Sequence, residues 1–224
     1  MQNLLLLHGA LGSQDQFNQL VDNLQDTFIT YTLNFAGHGG AIMPEAFSIG
    51  SFGEDVINFI KSNNLAPIHI FGYSMGGYVA LDVAKRYPDL IDRIFTFATK
   101  FQWSPEIAER EIRMLNADKI MEKIPAFAEQ LAARHSPNDW RLLLKKTAAF
   151  METLGDSSPL KLDHIQKKVR IGIGDKDAMV SLEESIDAFR KLPDASLIVF
   201  PETQHPIEKI STERLATEIK KFFS

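Results

Sequence analysis

The chain contains no cysteine among its 224 residues. That excludes a disulfide framework, a thiolate metal site and a thiol nucleophile together. Positive charge is also short. Twenty-four lysines and arginines face 29 aspartates and glutamates, a formal charge of −5, so the basic surface that nucleic acid demands is missing. No apolar run approaches the roughly 18 residues of a membrane span. Met1, Gln2 and Asn3 carry no positive side chain, and the apolar run 4–7 is too short for the core of a signal peptide. A cytoplasmic protein without nucleic-acid or membrane partners is therefore expected. Linkers are missing too, since no stretch is rich in proline, glycine or serine and no repeat is found. With 45% hydrophobic and 24% charged residues, the remaining class is a globular chain long enough for one large domain.

What is present is a regular alternation. The apolar run 4–7 precedes Phe17, Leu20, Val21 and Leu24, which share one face of a helix. The run 28–35 precedes Phe52, Val56, Phe59 and Ile60, and the run 68–72 precedes Met75, Val79 and Val83. A fourth strand is expected at 91–97. Strands at 169–173 and 196–200 are followed by helices through Leu182, Ile186 and Phe189, and through Ile207, Ile210, Leu215 and Ile219. Alternating strands and helices imply a parallel sheet, because a parallel pair needs a crossover that a helix supplies. Strands buried on both faces read as continuous apolar runs, as 4–7 and 197–200 do. The expected fold is α/β, a doubly wound parallel sheet of about six strands.

One crossover is too long. About seventy residues separate Phe97 from Val169, where a dozen or so suffice. The interval has helical periodicity of its own at Ile107, Ile112 and Leu115, at Phe127 and Leu131, and at Leu143, Thr147, Phe150 and Leu154. It is expected to be a helical cap, 101–158, inserted between the fourth and fifth strands of a core made by 1–100 and 159–224. A short helix near 160–165 would lead back to the sheet.

At the end of the third strand stand Gly72, Tyr73, Ser74, Met75 and Gly76, a G-x-S-x-G sequence followed by an apolar helix. A serine exposed on so tight a strand-to-helix turn leaves no room for side chains two residues away on either side, hence the glycines. The helix that starts after Ser74 directs its free N–H groups and positive dipole end toward an oxyanion. Such a serine needs an imidazole base. Of six histidines only His205 follows the last strand, at the carboxyl edge where the Ser74 turn also lies. A carboxylate must hold the other imidazole nitrogen. The loop after the fifth strand offers two, Asp175 and Asp177, while the loop after the fourth, Ala98, Thr99 and Lys100, offers none.

His8-Gly9, Gly37-His38-Gly39, the Gly72 to Gly77 turn, the 174–177 loop and His205 occur in that order. Together they make the chain similar to α/β-hydrolase-fold proteins over essentially its whole length. The resemblance implies that the acid is the second carboxylate of its loop, Asp177, with Asp175 a solvated neighbour. It implies an oxyanion hole formed by the backbone N–H groups of Ala10 and Met75. It also implies that His8 and His38 brace loops. Two departures stand out. Asn34, Phe35 and Ala36 occupy the place where the family commonly has Asp and Pro, and the antiparallel hairpin that usually precedes the His-Gly strand is absent. Six parallel strands are therefore expected in place of eight.

The implied chemistry is hydrolysis of a small-molecule acyl ester or thioester through a covalent acyl-enzyme on Ser74, with no cofactor and no metal. The same three residues also serve C–C bond hydrolases and lyases, and receptor-like proteins of this fold retain them nearly idle. Substrate identity would be written in the cap. Leu11, Tyr73, Phe101, Trp103 and Trp140 are the residues expected to meet substrate, against the alternative that the cap aromatics pack its helices on one another. The charges Glu106, Glu109, Arg110, Glu111 and Arg113 read as a solvated helix face.

Overall fold

The computed structural model describes all 224 residues. Six strands, β1 (Gln2–Leu7), β2 (Phe28–Thr32), β3 (Ile68–Tyr73), β4 (Ile91–Phe97), β5 (Lys168–Gly174) and β6 (Ala195–Phe200), form one sheet in the order β2-β1-β3-β4-β5-β6. Every neighbouring pair is parallel. Nine α-helices accompany it: α1 (Asn18–Leu24), α2 (Ile49–Ser62), α3 (Met75–Arg86), α4 (Pro105–Ile112), α5 (Ala117–Lys123), α6 (Pro125–His135), α7 (Trp140–Asp156), α8 (Leu182–Lys191) and α9 (Thr212–Phe223). None is long and apolar enough to cross a membrane.

The pleat of the strands divides the core in two. In β1, Leu5 and Leu7 pack with α2, α3 and α8 on one face, while Leu4 and Leu6 pack with α1 and α9 on the other. Both faces are covered, so the central strands have no polar side to show. Of the run 197–200 only Phe200 shares that fate. β6 is an edge strand whose Leu197 and Ile198 are half-buried and whose Val199 is exposed. Its apolar sequence marks β-propensity more than burial. The last expected helix is also divided, because Ile207 lies in a separate 3-10 turn and α9 begins only after the Ser211 cap.

The strand order reverses between β1 and β3. From β1 the chain winds outward to β2, then returns to β3 and winds the opposite way through β4, β5 and β6. Loops leaving the carboxyl ends of β1 and β3 therefore diverge and leave a crevice at that edge, which is where ligands bind in open α/β sheets.

Helices α4 to α7 lie between β4 and β5 in the chain. Proline occupies the first turn of α4 and of α6, where its missing N–H costs nothing. Leu143 and Phe150 of α7 belong to the main core, the Phe150 ring meeting Phe52 edge to face at 5.8 Å. Ile120, Ala128, Leu131, Trp140 and Leu144 form a small apolar cluster of their own. α5 had no periodic signal; it is started by Asn116, whose side chain accepts the Lys119 N–H at 2.9 Å.

Candidate active site

Ser74 occupies the turn from β3 to α3 at φ 50°, in the left-handed region, with ψ −117°. The position is strained for a residue with a Cβ and persists only because its surroundings fix it. Its N–H donates to the Phe97 carbonyl at 2.8 Å, and its carbonyl accepts the Thr99 hydroxyl at 3.0 Å. The turn is thereby fastened to the end of β4. A Cβ on Gly72 would come within 2.5 Å of the Gly77 Cα, and one on Gly76 would strike the Leu7 carbonyl oxygen. The glycines are thus a packing requirement of the turn.

His205, in the loop between β6 and α9, brings Nε2 to 3.4 Å from the Ser74 Oγ. Its Nδ1 lies 2.8 Å from Oδ2 of Asp177. That contact fixes the tautomer: Nδ1–H donates to the carboxylate and Nε2 is left as the acceptor facing serine. Asp177 is held in turn, because its Oδ1 accepts the N–H groups of Met179 and Val180, each at 2.8 Å. Its side chain is 1% exposed. Asp175 points elsewhere; it is exposed, and its Oδ1 accepts the Thr203 N–H at 3.3 Å. Tyr73 binds the same loop, its hydroxyl donating to the His205 carbonyl at 3.0 Å. Burial raises the Tyr73 phenol above its ordinary range, so it remains a donor.

The N–H groups of Ala10 and Met75 donate to no acceptor of the protein. Both residues border the same cavity as Ser74 and His205. Met75 is the first residue of α3, where the N–H has no partner within the helix.

Behind Ala10 lies a knot of three buried histidines. His8 donates from Nδ1 to the Gly9 carbonyl at 2.8 Å and accepts the Phe35 N–H at Nε2, 3.2 Å away. His38 bonds the Ala36 carbonyl at 3.1 Å. His135, at the end of α6, accepts the Gly39 N–H at 3.1 Å and donates to the Leu11 carbonyl at 3.0 Å. Burial lowers His38 and His135 to about 4, and burial followed by repulsion from His38 holds His8 well below its usual value. All three are neutral near pH 7. Asn34, which departs from the family pattern, ties this region together by accepting the Gln14 N–H at 2.8 Å and donating to the Gly39 carbonyl at 3.1 Å.

The cavity over Ser74 has a volume of about 270 Å³ and is mostly apolar. Leu11, Tyr73 and Trp103 line it, as do Phe127, Phe150, Met151 and Leu154. Phe101 and Trp140, also expected to meet substrate, are not in its wall. Phe101 packs in the main core, and Trp140 fills the small cluster of α5, α6 and α7. Leu11 stands at φ 59°, which turns its carbonyl toward His135 and Arg134. The solvated-face reading also fails for one residue, because Glu111 is 2% exposed and borders the cavity. Its partners are the adjacent Arg110 at 3.0 Å and Lys100 at 3.6 Å, the latter from the loop after β4. Neither Glu111 nor Lys100 carried a local signal, since their pairing joins a loop to a helix that no short motif links.

A family model described as alpha/beta hydrolase fold matches residues 2–151. The chain belongs to the α/β-hydrolase fold family. Over nearly its whole length this hydrolase is similar to a 2-(acetamidomethylene)succinate hydrolase of Mesorhizobium japonicum, 24% identical over 242 residues that cover 98% of this chain and 87% of that protein. A pimeloyl-[acyl-carrier protein] methyl ester esterase of Neisseria meningitidis is 31% identical over 91 residues, 41% of this chain and 34% of that protein. Among solved structures, a thermophilic esterase from Thermogutta terrifontis with malate bound has a TM-score of 0.80 at 20% identity, covering 99% of the hydrolase and 89% of that chain. That last likeness is one of fold.

Proposed function

We propose that the hydrolase cleaves a small-molecule carboxylic ester or thioester through an acyl-enzyme on Ser74. The observation that carries the reading is the continuous hydrogen-bonded line from Ser74 through His205 to Asp177 at the floor of an apolar cavity. Ser74 Oγ attacks the carbonyl carbon while its proton passes to Nε2 of His205. The 3.4 Å separation is one that shortens as a substrate is drawn in. The imidazolium that forms is held by the carboxylate of Asp177 through Nδ1–H, and the backbone N–H groups of Ala10 and Met75 each supply one donor to the developing oxyanion. Collapse of the tetrahedral intermediate breaks the bond to the leaving alkoxide or thiolate, which takes the proton from His205. Water, deprotonated by His205, then attacks the acyl carbon, and collapse of the second tetrahedral intermediate breaks the bond to Ser74 Oγ, which takes the proton back from His205 as the carboxylic acid leaves. We read residues 101–158 as a cap over this site, supported by the cavity lining that α4 to α7 and their flanks supply.

The test is labelling with a fluorophosphonate, comparing the wild type with Ser74→Ala. Stoichiometric labelling of the first and none of the second is expected, and a folded wild type that stays unlabelled overturns the proposal. Multiple turnover of a p-nitrophenyl ester chain-length series then separates an esterase from a receptor-like protein, for which turnover would be negligible.

A further inference from the structure

Two buried carboxylates flank one ammonium in this molecule. Lys100 Nζ lies 3.6 Å from Glu111 and 3.8 Å from Glu184, and donates to the Met179 carbonyl at 2.7 Å. The side chains are 10%, 2% and 5% exposed respectively. Burying a second carboxylate beside a single ammonium costs several kcal/mol unless its lone pairs are satisfied. Glu184 meets that condition. Its Oε1 accepts the N–H groups of Phe101 and Gln102 at 2.8 and 3.2 Å, and its Oε2 accepts that of Ser181 at 3.3 Å. These bonds seat the start of α8 against the loop after β4, a structural task.

Glu111 has no backbone donor. Its Oε1 takes Lys100 and, at 3.0 Å, Arg110. Its Oε2 is buried and has no partner. Glu184 and the Met179 carbonyl already occupy Lys100, so a second carboxylate is not needed to hold that cation in place. Glu111 itself borders the substrate cavity, and a buried carboxylate oxygen there that lacks a donor calls for an explanation.

We propose that Glu111 is a specificity residue whose Oε2 accepts a hydrogen bond from a neutral hydroxyl or amide N–H carried by the substrate's acyl group. The proposal rests on the Ser74 reading above and names the substrate class for it. Local charge selects among donors. Lys100 and Arg110 balance Glu111 and Glu184, so the cluster sums to zero. At this cluster an anionic group would meet the Glu111 oxygen and cations already paired with carboxylates. A cationic group would compete with Lys100 in an apolar wall. A neutral donor satisfies the orphaned oxygen without either penalty. Hydrogen bonds to a charged partner contribute about 1.5 to 3 kcal/mol, which corresponds to roughly 10- to 150-fold in a rate or binding constant.

The experiment measures second-order labelling of Ser74 by alkyl fluorophosphonates of about four to ten carbons, each ending in methyl, hydroxyl, methoxy or carboxylate. At one chain length the hydroxyl probe should label the wild type about tenfold or more faster than its methyl and methoxy counterparts, with the carboxylate slowest. In Glu111→Gln the amide oxygen stays with Lys100 and Arg110, so its NH₂ takes the place of Oε2. The hydroxyl-over-methoxy ratio should then fall to near one. Should that variant not fold, Glu111→Asp, which withdraws the carboxylate by one methylene, is expected to lower the same ratio. Labelling of the wild type at equal rates by hydroxyl, methyl and methoxy probes of every length would sink the Glu111 proposal while leaving the Ser74 nucleophile standing; a water on Oε2 would give that result. A ratio that survives in both variants also sinks it. Labelling by none of the probes would remove the nucleophile and this proposal together.

Discussion

The two walls of the cavity are built in different ways. On the sheet side, Ser74, His205 and Asp177 stand on three short loops at one edge, and every one is fixed by a hydrogen bond with a backbone group at one end or both: Ser74 by Phe97, His205 by Tyr73, Asp177 by Met179 and Val180. On the helical side, Trp103, Phe127, Phe150 and Glu111 reach the cavity from separate elements, with Phe127 and Phe150 placed by apolar packing and Glu111 by ion pairs. A wall set by backbone geometry tolerates no shift in its reacting groups. A wall set by side chains changes shape with each substitution. The chemistry and the choice of substrate can thus vary independently.

The sharpest way to break this contrast is at the sheet wall. Ser74→Ala should lower kcat by about 10⁴-fold or more without lowering the melting temperature. Asp177→Asn should cost about 10⁴-fold in kcat, since it favours the wrong imidazole tautomer. Asp175→Asn should stay within about threefold; the reverse pattern, read from steady-state kinetics, would exchange the two roles.

The junction between the walls should fail in acid. His38 and His135 titrate near 4 in the folded chain, against an ordinary value of 6.5. Their folded values are depressed, so between pH 6.5 and 4 the unfolded chain binds protons that the folded chain refuses. Stability then falls with pH by about 1.4 kcal/mol per unit for each histidine, and above 6.5 they contribute no pH dependence. Urea midpoints at about pH 7.5 and pH 5 should differ clearly, and equal midpoints would contradict a neutral histidine knot.

Smaller effects belong to the helical wall and its supports. Trp103→Ala should raise KM for the longest acyl ester accepted by about tenfold while changing kcat little, the signature of lost uniform binding. A fall in kcat with KM unchanged would place Trp103 in the chemistry. Tyr73→Phe removes only the bond to the His205 carbonyl and should cost about 1 kcal/mol, a several-fold loss in kcat.

The same contrast explains what the sequence could tell. Ser74, Asp177 and His205 were legible because a strand-to-helix turn and the carboxyl edge of a parallel sheet impose local residue types and a chain order. The six strands were legible from apolar runs, although β6 showed that such a run also suits an edge. Glu111 reads as solvated because its helix carries charges on both sides of it, and only Lys100, eleven residues upstream, corrects that. Phe101 and Trp140 were indistinguishable from Trp103 by composition, since burial in a core and exposure to a cavity ask for the same side chains. The histidine knot joins residues 8, 38 and 135, a spacing set by tertiary contact alone.

The backbone at Ser74 also bears on how this protein can change. A left-handed φ suits glycine better than serine, so Ser74→Gly is expected to be the more stable chain and an inert one. Random drift under selection for folding alone would favour that replacement. A serine at that dihedral angle is therefore a stability cost that the proposed nucleophile would account for.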